Sequence, residues 1–148
     1  MGRPVAAAGV AAADDAVDGA RHLAHALELE ETDPAAALLA YEQYLAHSPA
    51  DEEARLNYGR LLHLRGRLLD AERVYAQISR VDATVLFNLA VLLEDLGRES
   101  EAIARYREAL DLVPTLADAH FNLARLHEKA GNQRDSLRHL MAYRRTME

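Results

Sequence analysis

The chain has 148 residues and no cysteine, which excludes disulfide scaffolds, cysteine-ligated metals and thiol catalysis. Half of it is hydrophobic but only 5% aromatic, and isoleucine occurs only at Ile78 and Ile103, so alanine and leucine must carry the core and the composition points to an all-α fold. A formal net charge of −7 argues against a general nucleic-acid binder, because counterion release needs clustered Lys and Arg facing phosphate.

Residues 1–15 are rich in Ala, Gly and Val but lack Leu and Phe, and they read as a disordered lead-in rather than a secretory signal. The acidity belongs to this end: residues 1–54 hold eleven Asp and Glu against Arg3 and Arg21, a local −9, which leaves +2 for the rest. No stretch approaches the roughly 20 apolar residues of a membrane span, and a soluble, cytoplasmic chain is expected. Helices are expected at about 16–30, 34–47, 51–64, 68–80, 83–96, 99–112, 117–130 and 133–146. Asp33 before Pro34 suits an N-cap with proline in the first turn, and Gly66, Gly97 and Gly131 can take the left-handed conformation that ends a helix.

These helices repeat. Tyr41, Tyr75, Tyr106 and Leu140 are separated by 34, 31 and 34 residues. Ala37, Ala71, Ala102 and Ser136 share those intervals, as do Tyr44, Ile78, Ala109 and Tyr143, and the three glycines keep the last two. The run Leu86-x-x-Leu89-Ala90-x-x-Leu93, Ala102-x-x-x-Tyr106, Pro114 resembles the tetratricopeptide repeat (TPR), whose period is 34. The second unit matches through Tyr58-Gly59-x-x-Leu62 and Ala71-x-x-x-Tyr75, and the fourth through Leu123-Ala124. The first keeps Ala37-x-x-x-Tyr41 and Pro49 but places His25 in the slot for a small residue. The resemblance spans residues 18–148 and implies an α-α superhelix of four helix pairs, at about 18–51, 52–82, 83–116 and 117–148, forming one TPR domain over 16–148. All series lose three residues between Ile78 and Ala83, which assigns the deficit to the linker Ser79–Asp82 and predicts that both flanking helices are spared.

Catalytic constellations are weak. His22 and His25 alone have the spacing of a helical metal pair, and they fit a solvated helix better. His120 and His127 occupy slots that usually pack an aromatic ring. Asp135, Ser136 and His139 lie on one short helix and cannot orient as a triad. Glu94 and Asp95 point to different sides, and no phosphate-binding glycine loop occurs. Neither an enzyme nor a cofactor or metal is expected.

The TPR resemblance implies a concave groove lined by the first helix of each pair, where Asn57, Asn88 and Asn122 share one slot. Leu56 and Arg60, Phe87 and Val91, and Phe121, Arg125 and Lys129 extend that lining at helical spacing. An amide both donates and accepts, so such a ladder suits the backbone of an extended peptide or partner protein. Arg60, Arg125 and Lys129 predict a local positive field and hence a mildly acidic ligand. The chaperone-tail carboxylate clamp found in some TPR domains needs lysine and a second asparagine where this chain has His22 and Ala26, and Glu53 and Thr84 occupy its other basic positions, so that ligand is not expected. Leu137, Leu140, Met141 and Tyr143 on the last helix predict an uncovered apolar strip available for self-association. The run Ala83–Arg145 is also similar to TPR regions of some bacterial MerR-type regulators. That likeness implies an alternative role as an accessory module acting through a separate DNA-binding partner, since the DNA-reading element has no counterpart here.

Overall fold

The computed structural model describes residues 6–148, with side chains from Asp18 onward. The described residues form eight helices and no strand: α1 (Ala6–Thr32), α2 (Pro34–His47), α3 (Glu52–Leu64), α4 (Leu68–Ala76), α5 (Ala83–Asp95), α6 (Glu99–Leu112), α7 (Ala117–Lys129) and α8 (Gln133–Thr146). Residues 1–5, and the side chains up to Val17, lie outside the described residues; the expected disordered lead-in over 1–15 falls only partly there, because residues 6–15 belong to α1, which begins at Ala6 rather than at about 16. Local chemistry sets the remaining ends. The carboxylates of Asp33, Asp51 and Asp82 accept from the amides of Ala36, Ala54 and Val85 at 3.1, 3.0 and 2.9 Å, capping α2, α3 and α5. Gly66, Gly97 and Gly131 have φ of 78°, 77° and 80°. The next amides reach back across that turn, Arg67 to Leu62, Arg98 to Leu93 and Asn132 to His127, in the pattern that a left-handed residue permits.

The chain forms two compact units, divided after Arg67. In the first, α1 packs on α2 and α2 on α3 around the buried Ala26, Ala37, Tyr41, Ala54 and Leu62. Here the repeat arithmetic slips. Ala26 fills the small-residue slot, wholly buried, while His25 is exposed. Asp33 alone joins α1 to α2, whereas three residues join α5 to α6 and α7 to α8, so α1 meets its neighbour one position out of register.

In the second unit α4 through α8 pack each on the next. Ala90, Leu93, Ala102, Tyr106, Ala119, Leu123 and Leu126 make its central core. Ala102 has no exposed surface, which lets α6 approach α5 closely, and Tyr106 fills the space one turn on. The three-residue deficit spares α5, which has 13 residues like α3 and α7, but not α4. α4 has nine residues where α2, α6 and α8 have fourteen. A residue spans about 1.5 Å in a helix and about 3.3 Å extended, so unwinding the end of α4 lengthens the reach of a shortened connection to α5.

Candidate binding surface

The three asparagines occupy equivalent slots on α3, α5 and α7 and all are half-buried, but their hydrogen bonding differs. Asn122 donates through Nδ2 to the Tyr106 hydroxyl at 3.1 Å, and that hydroxyl donates to Glu94 at 2.5 Å. Asn57 and Asn88 make no side-chain hydrogen bond among the described residues. The ladder therefore contains one rung already engaged in the fold.

The aromatic positions also diverge. Phe87 packs on the core with its ring edge-on to Tyr106, centroids 5.6 Å apart, and Val91 packs beside it. Phe121 stays 46% exposed, leaning on Tyr143 of α8 at 5.5 Å. Phe121 thus keeps an exposed aromatic face, whereas Phe87 belongs mostly to the interior. Leu56 on α3 is half-buried.

The positive charge expected at Arg60, Arg125 and Lys129 is not left free, because each of these side chains meets a carboxylate. Arg60 reaches Glu30 at 3.4 Å, Arg125 pairs with Glu94 and Lys129 with Glu99. Paired charges cancel at a distance, so an acidic ligand gains little general attraction here. Two of these carboxylates are shared: Glu30 also accepts the Tyr41 hydroxyl, as Glu94 accepts that of Tyr106. Burial first, and then the carboxylate hydrogen bond, raises both tyrosine hydroxyls well above the ordinary phenol value. The Glu94 bond likewise raises Arg125. Composition and groove spacing did not expose Glu30 and Glu94. A signal existed in the separations, 11 and 12 residues to the tyrosine and 30 and 31 to the arginine.

Elsewhere, Leu137, Leu140 and Met141 are exposed on α8 as expected, while Tyr143 is half-buried against Phe121. His22 and His25 are exposed, and no group of three or more metal-ligating side chains occurs among the described residues. No described helix is long and apolar enough to cross a membrane.

A tetratricopeptide repeat profile matches residues 28–90, and a TPR repeat profile matches residues 95–131. The chain belongs to the tetratricopeptide repeat family. No curated protein matches the chain in sequence. Among solved structures, this TPR chain is similar to MamA, with a TM-score of 0.81 at 14% identity over 87% of this chain and 78% of that one. It is also similar to a fragment of MamA from Desulfovibrio magneticus RS-1, with a TM-score of 0.80 at 16% identity over 87% and 75%. A MamA D159K mutant gives a TM-score of 0.71 at 23% identity over 83% and 70%. These likenesses establish the TPR solenoid fold. A TPR solenoid is an interaction scaffold, so the partners of this chain are proteins.

Proposed function

We propose that the α5 and α7 faces bearing Phe87, Asn88, Val91, Phe121, Asn122, Arg125 and Lys129 bind an extended peptide segment of a partner protein. The observation that carries this reading is the exposed ring of Phe121 on one helix with the uncommitted amide of Asn88 at the equivalent face of another. An amide without an internal partner can pair with a peptide backbone, and a half-exposed aromatic ring gains free energy when covered. Leu56, Asn57 and Arg60 on α3 present a second, smaller set of the same kind. Because the cations are paired, recognition rests on amides and apolar contact, and the ligand need not be acidic.

A peptide array probed with the full chain tests the reading. A selected peptide should lose about fivefold in affinity for each of Asn88→Ala and Phe121→Ala. Unchanged affinity in both folded variants would remove this surface from the interaction.

A second contact is favoured by α8. Leu137 and Met141 are 60% and 63% exposed beside Leu140, among Arg134, Arg138 and Arg145. The occupant that fits is a second copy of this chain, because residues 18–54 hold nine Asp and Glu against Arg21 alone and expose Leu27 and Leu39. A basic apolar strip meeting an acidic one gives a heterologous, salt-sensitive contact. Sedimentation should show self-association that high salt and Met141→Glu both weaken. A strict monomer at high concentration and low salt would overturn it.

A further inference from the structure

Three histidines meet where α8 packs on α7. His120 and His127 lie on α7 and His139 on α8, and the last two are buried. Their protons can be assigned from their partners. His120 Nε2 lies 2.8 Å from the Pro114 carbonyl oxygen, which can only accept, so Nε2 carries the proton and neutral His120 presents a bare Nδ1. That nitrogen is 3.1 Å from Nδ1 of His139, which must therefore donate. His139 is left with an unprotonated Nε2, and this atom is buried without a partner. His127 stacks on the His139 ring, centroids 5.6 Å apart and planes 3° apart, with its own Nε2 equally buried and unpartnered.

Within the His120–His139 pair an added proton ends at one atom, His139 Nε2. Placed directly on His139 it occupies Nε2. Placed on His120 Nδ1 it forces His139 to accept there and to carry its own hydrogen on Nε2. Either route leaves a cationic pair with an N–H aimed at no acceptor, which is among the costlier ways to bury charge. The surrounding groups do not relieve it. Arg138 on α8, Arg107 on α6 and His127 on α7 all oppose a positive charge on His139, while the Asp135 carboxylate on α8 acts on His127.

We propose that the His120–His139 pair is a proton-sensitive latch, holding α8 against α7 while both rings are neutral and loosening it on acidification. Burial, then the neighbouring His120, lowers His139 from 6.5 to about 4, and burial lowers His127 as well. The free helix would titrate at the ordinary value. The stabilisation from neutral His139 is thus complete above about pH 6.5 and drains away as pH falls toward 4, so the opening equilibrium of α8 should rise about 20-fold between pH 7 and pH 5.

Amide exchange of the full chain at the two pH values, corrected for the intrinsic pH dependence of exchange, measures this opening. The expected result is a loss of protection in α8 that exceeds the loss in α5 and α6, and that His139→Phe abolishes. Equal losses in both regions, or the same α8 response in His139→Phe, would overturn the latch. Should that variant not fold, proton NMR of the wild-type His139 ring decides: a midpoint far below 6.5 supports the latch, and one at the ordinary value refutes it.

Discussion

The Tyr106 hydroxyl lies 2.5 Å from the Glu94 carboxylate and also accepts from Asn122 Nδ2, so a fully buried ring on α6 ties the end of α5 to the middle of α7. Arg125 binds the same carboxylate, but its side chain is 49% exposed and solvent weakens the pair. The buried hydroxyl should therefore matter more than the visible ion pair. Tyr106→Phe is expected to cost about 2 kcal/mol, because it removes a hydrogen bond to a charged group and strands Asn122. Arg125→Met should cost about 0.5 kcal/mol. Urea unfolding of both variants checks the order, and an Arg125 effect equal to or above that of Tyr106 would contradict it.

The asparagines should separate by the same logic. Asn122→Ala removes a donor to Tyr106 and is expected to lower stability by about 1 kcal/mol. Asn88→Ala breaks no internal bond and should stay within about 0.5 kcal/mol of the parent. Thermal unfolding of the two variants provides the comparison. If both destabilise equally, Asn88 has a structural role that its surroundings do not reveal.

The repeat was legible in the sequence because its signals are local and redundant. A small residue, a ring one turn later and a glycine at the helix end each serve packing or backbone geometry, and all recur together. The places where that arithmetic failed depend on distance rather than residue type. His25 yielded its slot to Ala26 where a single residue connects α1 to α2, and α4 ends early beside a connection that is three residues short. The pairing of Arg60 and Arg125 escapes the sequence for a related reason. Glu30 and Glu94 lie 30 and 31 residues from their arginines, and helical spacing along one element cannot show such partners.

Close approach at the small-residue slot gives a packing prediction. Ala102 is wholly buried against the core that contains Ala90 and Tyr106. Ala102→Leu adds three carbons where no space exists and is expected to cost about 1–3 kcal/mol through displaced neighbours. Leu69→Ala, at a site 64% exposed on α4, should change stability by less than about 0.5 kcal/mol. Chemical denaturation distinguishes these outcomes, and a neutral Ala102→Leu would mean that the interface between α5 and α6 is looser than its burial implies.

The shortened α4 offers a direct test of cause. The amides just past its end bond in the tighter pattern of a fraying terminus, Gln77 to Val74 and Ile78 to Tyr75, both at 3.1 Å. Two explanations compete: residues 77–82 terminate the helix themselves, or the connection to α5 is too short to leave them helical. From the start of one helix to the start of the next, the α4 to α5 step takes 15 residues where α2 to α3 and α6 to α7 take 18. Inserting three residues after Arg80, with a proline placed as in Val113-Pro114-Thr115, restores the longer step without altering Gln77 to Arg80. Under the tether explanation those four residues become helical, and their amides gain protection and helical chemical shifts. If they stay unprotected after the insertion, the ending is encoded locally and the deficit is its companion rather than its cause.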